Sequence, residues 1–442
     1  MNSISHQMRE SIKLLNLIFD ISVLAWSIRS NKAKTGIFRV IENLFFQFLK
    51  DPEINLYLTS IHGNIKDLNV YLKKENIEIS EDRLLVPQNP SKFKDKLFQI
   101  YLWTYGLFDI KGYPRLSKIL LFFHSIFVKR ILSIFGLTSY FYPVPRKYLT
   151  DSFIFHSTFL PIPEFIQNSK IRKVITIYDL ISILHPKFFI GNQDHVVWKL
   201  VRDLNPDTKV ITISEHSKRD LLEAGIGLSE HQVFVTPLAP AKHFYQVSSK
   251  QKLDTDLRLF DLKPGEYILS VATLEPRKNL KATIHAFLQL SNLESNPNLK
   301  LVLLGGRGWG ENLEEILSGY SDLLKEKIVF LGFVSDESLA SLYSGAKFFV
   351  YLSFYEGFGL PPLEAMCCGV PVLVSNASSL PEVVGDAGLY VDPYDLNSIK
   401  TGMEKLLNEA ELRKSLSSSA LKRSESFTWE KTAKFTKEAY LI

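Results

Sequence analysis

The sequence predicts an α/β protein with two doubly wound domains, each a parallel sheet covered by helices. Its 442 residues exceed the roughly 250–300 at which a single hydrophobic core usually stops growing. Short apolar runs alternate with helix-like patterns along the chain, which is typical of parallel sheets. The composition, 46% hydrophobic and 22% charged, excludes a disordered chain.

The first domain is predicted to be Rossmann-like and to span residues 1–245. A buried strand over Leu17–Trp26 precedes the Thr35-Gly36 turn, and the apolar-periodic helix Ile37–Phe48 follows. Strand, glycine turn and helix form the opening unit of a parallel α/β fold. Further strands are predicted over Asn55–Ser60, Ser152–Ser157, Lys173–Tyr178, Lys209–Ser214 and Gln232–Thr236.

A linker over residues 246–264 is predicted from the polar stretch that begins at Ser248. The strand and helix pattern then restarts in a second Rossmann-like domain over 265–425. A helical stretch begins near Ser398, and its last part, 426–442, is predicted as a separate helix. The second domain's strands are predicted over Tyr267–Thr273, Leu301–Leu304, Lys327–Phe330, Phe348–Leu352, Pro371–Val374 and Leu389–Val391, with a helix over Leu280–Leu290.

The net charge of +5 is concentrated in one segment of the first domain. Residues 91–150, here called the basic aromatic insert, contain ten lysines and arginines, two acidic residues and fifteen aromatic residues. The insert therefore carries a net charge of +8 and the rest of the chain −3.

The basic aromatic insert has two interpretations. Its apolar run Ile119–Val128 ends at Lys129-Arg130, short of the ~20 residues that a membrane-spanning helix needs. Basic residues among aromatic ones suit an anionic lipid surface, but the same apolar positions suit the core face of one or two helices. No nucleic-acid-binding motif accompanies the charge, so nucleic acid is not expected as a partner.

The two cysteines, Cys367 and Cys368, are adjacent. Their number and spacing exclude a disulfide scaffold and a cysteine-based zinc site. The first residues lack the pattern of a secretory signal peptide. The expected location is cytoplasmic, peripheral on the inner face of the cell membrane if the insert binds lipid.

The most informative string is EGFGLPPLEAMCCGVP, which begins at Glu356 between two predicted strands. Gly357 and Gly359 allow the backbone to approach a ligand closely. The Pro-Pro pair that follows favours a helix start, and the amides of a helix N-terminus suit a phosphate. Glu356 and Glu364 could accept hydrogen bonds from two parts of one polyhydroxylated ligand. The alternative is that Glu364 merely stabilises the start of the helix.

A second string, LEPRKNL over residues 274–280, lies between a predicted strand and a predicted helix. Open α/β sheets bind their ligands at the carboxyl ends of strands. Arg277 and Lys278 at that position could neutralise a diphosphate, with a planar fork and a point charge respectively. The alternative is an ordinary solvated pair of cations.

Other catalytic motifs are absent from the sequence. The chain has no G-x-S-x-G, no G-x-x-x-x-G-K-[ST] and no H-E-x-x-H string, which excludes common hydrolase, P-loop and zinc-protease sites. Asp254 and Asp256 form a D-x-D pair, but no strand precedes it. We therefore expect neither a metal nor a bound cofactor.

Together these residues make the chain resemble a family 4 retaining glycosyltransferase with the GT-B fold. Glu356 and Glu364 match its E-x7-E motif, and Arg277-Lys278 and Thr35-Gly36 match two further positions. The resemblance covers nearly all of the chain and is weakest over about 65–150. It implies two domains that face a central cleft and a last helix that crosses back to pack on the first domain.

The resemblance also implies a role for each matching residue. Arg277 and Lys278 would hold the donor diphosphate and stabilise charge on the leaving nucleotide. Glu356 would bind hydroxyls of the transferred sugar, and Glu364 would bind the ribose. The other donor-binding positions implied are Gly36 facing the phosphates, the backbone around Phe333 beside the base, and the amides of Gly357, Phe358, Gly359 and Leu360.

The sequence departs from the family at one position. Related sequences often read His-Asp-Leu at the end of a first-domain strand, with the histidine near the donor sugar. This chain reads Tyr178-Asp179-Leu180, so the histidine's role has no residue by position. Candidates to line the acceptor side of the cleft are Tyr178, Asp179 and His156.

The resemblance implies a metal-independent retaining transferase. It would move a hexose from a nucleotide diphosphate sugar, UDP-glucose first and a GDP-sugar next, to a lipid-linked or growing envelope saccharide or exopolysaccharide. Two alternatives use the same fold: a non-catalytic subunit that binds the nucleotide sugar, and a sugar-nucleotide epimerase.

Overall fold

The computed structural model describes residues 14–28, 36–61, 65–85, 144–189, 196–202, 204–291, 293, 295–306, 308 and 312–442, with isolated positions between 93 and 134. Thr35 and most of the basic aromatic insert lie outside these residues. By its contacts the chain divides into two compact units. The first unit is Met1–Thr176 with Asp203–Lys209, and the second is Ile177–Arg202 with Val210–Ile442.

Parallel strands form two sheets. The strand order is β3-β2-β1-β4-β5-β6-β7 in one sheet and β10-β9-β8-β11-β12-β13 in the other. The strands are β1 Leu15–Asp20, β2 Ile54–Thr59, β3 Leu84–Leu85, β4 Phe153–Ser157, β5 Arg172–Thr176, β6 Lys209–Thr212, β7 Val233–Val235, β8 Tyr267–Val271, β9 Lys300–Leu304, β10 Ile328–Gly332, β11 Phe348–Tyr351, β12 Val372–Ser375 and β13 Gly388–Val391.

Helices connect most of these strands, as expected for crossovers between parallel strands. The helices among the described residues are α1 Ser22–Trp26, α2 Ile37–Lys50, α3 Ile65–Lys74, α4 Glu164–Gln167, α5 Ile181–Leu184, α6 Val196–Arg202, α7 Glu215–Glu223, α8 Lys250–Arg258, α9 Leu280–Leu288, α10 Leu313–Leu317, α11 Asp322–Lys325, α12 Asp336–Ser344, α13 Leu360–Cys367, α14 Leu380–Val384, α15 Leu396–Asn408, α16 Ala410–Ser424 and α17 Trp429–Leu441.

Three segments differ from the predictions. The two-residue strand β3 was not among the predicted strands. The strand predicted over Leu17–Trp26 ends at Asp20, and α1 follows, because the Asp20 carboxylate accepts hydrogen bonds from the Ser22 amide (3.0 Å) and hydroxyl (2.5 Å) and turns the chain. The predicted linker contains α8, whose first turn is capped by the Ser249 side chain.

The first unit has its core between β1 and α2. Leu17, Ile18 and Phe19 are fully buried in the strand, as expected for a strand covered on both faces. The ring of Phe48 on α2 meets the Phe19 ring edge to face, with centroids 5.4 Å apart.

The second unit has its core around β8, β9, β11 and β12, whose apolar side chains form one continuous cluster. β8 pairs with β9 on one side and with β11 on the other, both in parallel. The chain order therefore reverses between β8 and β11. Such a switch point opens a crevice at the carboxyl ends of the strands, where doubly wound sheets bind ligands.

The last helix, α17, packs on a segment from the middle of the chain. The Trp429 indole donates a hydrogen bond to the Pro240 carbonyl oxygen (2.9 Å), and the Thr432 hydroxyl donates to that of Pro237 (2.7 Å). Residues 237–240 belong to the second unit by contacts, although the sequence pattern assigned them to the first domain. The boundaries predicted at 245 and 265 stay a prediction.

No helix within the described part of the chain is both long and apolar enough to span a bilayer.

Candidate functional site

The candidate site lies at the switch point of the second unit. Its cations follow β8 in a short 3-10 helix, Pro276–Lys278, and its carboxylate follows β11. Both connections leave the carboxyl ends of neighbouring strands, so residues distant in sequence meet there. The amide of Phe354 donates to the carbonyl oxygen of Arg277 (2.9 Å) and ties the two connections together.

Three donors surround one oxygen atom of Glu356. Arg277 Nη1 lies 2.8 Å from Glu356 Oε1, Lys278 Nζ lies 2.7 Å away, and the Tyr351 hydroxyl lies 2.9 Å away. The Glu356 residue is 8% exposed. The two predicted catalytic cations and the predicted catalytic carboxylate thus form one compact charged cluster.

The cluster changes the protonation of its members. Burial alone would raise the pKa of Glu356, but the charges of Arg277 and Lys278 outweigh burial and lower it to about 2. Burial lowers the pKa of Lys278 against the opposing attraction of Glu356. Burial and the Glu356 charge raise the pKa of Tyr351, which keeps its phenol a proton donor.

Arg277 is held at a fixed angle by two further partners. Its Nη2 atom lies 2.7 Å from Glu275 Oε1, and its Nη1 atom donates to the carbonyl oxygen of Tyr355 (2.7 Å). Two carboxylates and two cations therefore balance in this part of the site. A guanidinium held on both sides is pre-organised for anion recognition.

The glycine loop after Glu356 is fixed by serine side chains. The Glu356 amide donates to Ser378 Oγ (2.8 Å), and Ser379 Oγ lies 2.9 and 2.6 Å from the carbonyl oxygens of Glu356 and Phe358. Gly359 then caps α13 with a φ of +127°, which a residue with a side chain rarely adopts.

Helix α13 begins at Leu360, and the Pro-Pro pair that predicted a helix start lies in its first turn. Its eight residues end at Cys367. A helix of this kind directs unpaired amides and the positive end of its dipole toward the preceding loop, which is consistent with the predicted phosphate site.

A second helix, α7, holds the same loop from the other side. The hydroxyls of Ser214 and Ser217 lie 2.8 and 3.2 Å from the Gly357 carbonyl oxygen. The Glu382 carboxylate accepts hydrogen bonds from the amides of Glu215 (2.9 Å) and His216 (3.3 Å) at the start of α7. Burial raises the pKa of Glu382.

Tyr355 links α7 to the charged cluster. Its hydroxyl donates a short hydrogen bond to Asp220 and lies 2.9 Å from His216 Nε2. The His185 ring packs on the tyrosine ring, with centroids 4.5 Å apart. The tyrosine whose carbonyl group holds Arg277 is therefore itself fixed by three side chains.

The remaining predicted donor-binding residues are distributed over both units. Glu364 accepts a hydrogen bond from the Tyr343 hydroxyl (3.0 Å). The Phe333 ring is 71% exposed and packs against Gly306, where an added Cβ would meet it at 3.1 Å. Gly36 caps α2 in the first unit with a φ of +53°.

The acceptor-side candidates separate into two places. Tyr178 and Asp179 lie against Gly357, where an added Cβ would be 2.9 Å from Asp179 Cβ and 3.1 Å from the Tyr178 carbonyl oxygen. His156 instead lies in β4 of the first unit. Its ring is fully buried, 2.8 Å from Thr176 Oγ1, and burial lowers its pKa to about 3. In this structure it is closed to a saccharide.

Sequence reasoning missed four residues that shape the site: Glu275, Tyr351, Tyr355 and Glu382. Glu275 lies in the same string as Arg277, and Tyr355 directly precedes Glu356, so their position beside motif residues could have identified them as site residues. Tyr351 is hidden in a buried apolar strand, and Glu382 belongs to no motif.

Within the described residues, no group of three or more histidine, cysteine or acidic side chains could hold a metal ion. The expectation of metal independence stays a prediction.

A family model described as glycosyl transferases group 1 matches residues 259–423. The chain is 34% identical over 287 residues to the O-antigen chain mannosyltransferase B of Escherichia coli. The aligned region covers 63% of this chain and 73% of that protein. The chain is also 33% identical over 275 residues to the serotype-specific mannosyltransferase WbdA of E. coli. This second alignment covers 61% of this chain but only 33% of the length of WbdA.

Solved structures show the same fold. The Anabaena protein Alr3699/HepE, solved in complex with UDP-glucose, aligns over 97% of this chain and 100% of its own with a TM-score of 0.61 and 14% identity. WaaG, a glycosyltransferase involved in lipopolysaccharide biosynthesis, aligns over 96% and 99% with a TM-score of 0.60 and 13% identity. These likenesses and the two parallel Rossmann-like sheets confirm the predicted GT-B fold class. From its identity to a relative that it covers over nearly three quarters of the length, the chain belongs to the group 1 glycosyltransferases.

Proposed function

We propose that this glycosyltransferase moves mannose from GDP-mannose to a growing or lipid-linked saccharide of the cell envelope, with retention of the anomeric configuration. The observation that carries the proposal is the cluster in which Arg277 and Lys278 both lie within 2.8 Å of Glu356. The names of two E. coli relatives, both mannosyltransferases, support mannose as the sugar.

The donor proposed here differs from the first expectation, UDP-glucose, which rested on family frequency and stays a prediction. GDP-linked sugars were the second expectation, and mannosyl relatives favour them. The neighbour solved with UDP-glucose is 14% identical and therefore supports the fold and not the donor.

The chemistry of the cluster suits cleavage of a sugar–phosphate bond. The step develops negative charge on the diphosphate and positive charge on the anomeric carbon. Fixed cations such as Arg277 and Lys278 would stabilise the first charge without reorganising during the reaction. Glu356, ionised down to a pH of about 2, would accept hydrogen bonds from sugar hydroxyls.

We also propose that the transfer needs no metal, because Arg277, Lys278 and the amides at the N-terminus of α13 can contact the diphosphate directly, where a divalent ion would otherwise bind. Turnover with excess chelating agent should match turnover with added Mg²⁺ or Mn²⁺. A rate that collapses with the chelator and returns with the metal would contradict this part of the proposal.

A donor panel tests the proposed function. Thermal unfolding with GDP-mannose, GDP, UDP-glucose and UDP should show the largest stabilisation for the GDP compounds.

Transfer to an α-mannoside acceptor should be lost in Arg277→Ala and Glu356→Ala, and the anomeric configuration of the wild-type product is determined by proton NMR. Unchanged turnover in both variants would refute the site. Donor binding without transfer to any acceptor would favour the scaffold alternative, and isomerised donor without acceptor would favour the epimerase.

Peripheral membrane contact through the basic aromatic insert is proposed alongside. Described positions in the insert expose large apolar side chains: Phe93 at 61%, Trp103 at 67% and Phe127 at 69%. Binding to anionic vesicles in a flotation assay should weaken at high salt, since charges at a lipid surface are screened. Absence of binding at low salt would contradict membrane contact and leave the core-packing interpretation of the insert's apolar run.

A further inference from the structure

An aromatic row lies beside the charged cluster at the same edge of the second sheet. The Phe354 ring stacks on the Tyr394 ring, with centroids 4.7 Å apart and planes 25° apart. The other neighbour of Phe354 is the buried Phe188 ring, at 6.1 Å and 3°. Tyr394 ends the row and is 73% exposed. A large ring is therefore held in place and presented to solvent.

The exposed tyrosine forms one wall of a cavity of about 410 Å³. The cavity lies among the connections that follow β12 and β13. Its polar wall carries an amide, a carboxylate and a hydroxyl, from Asn376, Asp392 and Ser398. None of the described residues that line it is a lysine or an arginine, so the cavity is poorly suited to a phosphate group.

Hydrogen bonds make the wall rigid before any ligand arrives. The Tyr394 amide donates to Asp392 Oδ1 (2.9 Å), and the Asp392 amide donates to Ser398 Oγ (3.1 Å). Asp395 then caps the start of α15. A surface ordered in advance loses little conformational entropy on binding.

The cavity shares its supports with the charged cluster. The Asn279 side chain donates to the Pro393 carbonyl oxygen (2.8 Å), which joins the residue after Lys278 to the residue before Tyr394. The Phe354 amide donates to the carbonyl oxygen of Arg277. A ligand in the cavity would therefore lie beside the proposed site of transfer.

We propose that this cavity is a saccharide subsite that binds a hexose unit of the acceptor, with Tyr394 as its stacking platform. A pyranose has an apolar face of C–H groups and an equator of hydroxyls. The first matches an exposed aromatic ring, and the second matches the amide, carboxylate and hydroxyl of Asn376, Asp392 and Ser398. The inference rests on the proposed function, because it gives the saccharide acceptor of that reaction a place to bind.

The test is the binding of an α-linked mannotetraose to the full chain, measured by calorimetry in the presence of GDP. Tyr394→Ala should weaken saccharide binding about tenfold, because most of the stacking area is lost. Tyr394→Phe keeps the ring and should stay within about twofold of wild type. GDP affinity should be unchanged in both variants.

Tyr245→Ala is the matched control, since it removes a tyrosine that is 50% exposed and does not line the cavity. Asn376→Ala provides a second change in the cavity and should also weaken the saccharide alone. Equal saccharide affinity in wild type and Tyr394→Ala would overturn the subsite, as would an equal loss in Tyr245→Ala.

The two proposals fail in distinguishable ways. A wild-type chain that binds GDP but not mannotetraose overturns the subsite and does not affect the proposed donor site. A chain that binds the saccharide through Tyr394 but transfers no sugar from any donor in the panel keeps the subsite and overturns the proposed function.

Discussion

Lys278 Nζ lies 2.7 Å from Glu356 Oε1 and donates to it in a buried site. The same ammonium group also lies 2.6 Å from the Tyr351 hydroxyl. Its side chain is 13% exposed, so removal of the charge leaves the carboxylate with one cation fewer where water cannot compensate well. Removal of the Lys278 charge should therefore lower both the stability of the protein and its rate of transfer.

Lys278→Met should lower the rate of transfer by about 100-fold or more, since it removes a fixed charge that would stabilise the leaving diphosphate. It should also lower the free energy of unfolding by roughly 3 kcal/mol, as a broken buried pair does. Steady-state kinetics and urea unfolding measure the two effects. Lys281→Met is the control, because that lysine is exposed on α9. A variant that keeps wild-type rate and stability would contradict the cluster's role.

Glu356 should make stability depend on pH in a defined acid range. Its pKa falls from 4.5 to about 2 on folding, because the charges of Arg277 and Lys278 outweigh burial. A carboxyl with a lowered pKa stabilises the folded state above its unfolded pKa, and this contribution is lost as the pH falls through the folded pKa. The loss should amount to roughly 3 kcal/mol between about pH 4.5 and 2.

The measurement is urea unfolding of wild type and Glu356→Gln over that range. The difference in unfolding free energy between the two proteins should shrink as the pH is lowered, because glutamine has no charge to lose. A difference that stays constant from pH 4.5 downward would show that the carboxylate is not stabilised by its two cations.

Much of the fold could be predicted because its signals are local. Each buried parallel strand is a short apolar run, and α2 and α9 lie where the periodicity placed them. Arg277, Lys278 and Glu356 could also be singled out, since each stands in a short string after a strand; the structure brings the three side chains together, and their roles stay a prediction. These features need only neighbouring residues for their recognition.

The missed residues depend on contacts that sequence periodicity does not encode. The Glu382 carboxylate meets the Glu215 amide across 167 positions of the chain. Tyr351 reads as one more apolar residue of β11, although its hydroxyl faces Glu356 at 2.9 Å. The prediction of a strand over Leu17–Trp26 was wrong after Asp20 for a similar reason. The residues after Asp20 are still mostly apolar, but the Asp20 side chain accepts a hydrogen bond from the Ser22 amide and ends the strand.

Tyr355→Phe should destabilise the protein without abolishing transfer. The change removes the hydroxyl that donates to Asp220, a carboxylate with a side chain 13% exposed. Loss of a partner at such a group costs about 1–3 kcal/mol. The backbone carbonyl group that holds Arg277 remains, so the rate should fall by less than about tenfold.

Thermal unfolding and initial rates check this prediction. Tyr148→Phe is the control, because that hydroxyl makes a long surface hydrogen bond, 3.3 Å, to the Asp82 carbonyl oxygen. Its free energy of unfolding should stay within about 0.5 kcal/mol of wild type. Equal stability of the two variants would show that the Tyr355 hydroxyl does not hold α7 against the loop.

Gly305 should tolerate no side chain, because it directly follows β9, where the backbone passes close to the segment after β8. An added Cβ would lie 2.2 Å from the Ala272 carbonyl oxygen, and the residue has a φ of +147°. The clash involves backbone on both sides, so no rotamer change relieves it. Gly305→Ala should therefore lower the free energy of unfolding by about 3 kcal/mol or more.

Gly305→Ala should also disturb the charged cluster of Arg277, Lys278 and Glu356. Ala272 lies five residues before Arg277, so a backbone shift that relieves the clash moves the connection carrying the cation. Gly319→Ala is the control, since an added Cβ there meets nothing within 4 Å. Urea unfolding and donor binding should both be impaired in Gly305→Ala and unaffected in Gly319→Ala. Wild-type stability in Gly305→Ala would contradict the close approach of β9 to the segment that leads into the site.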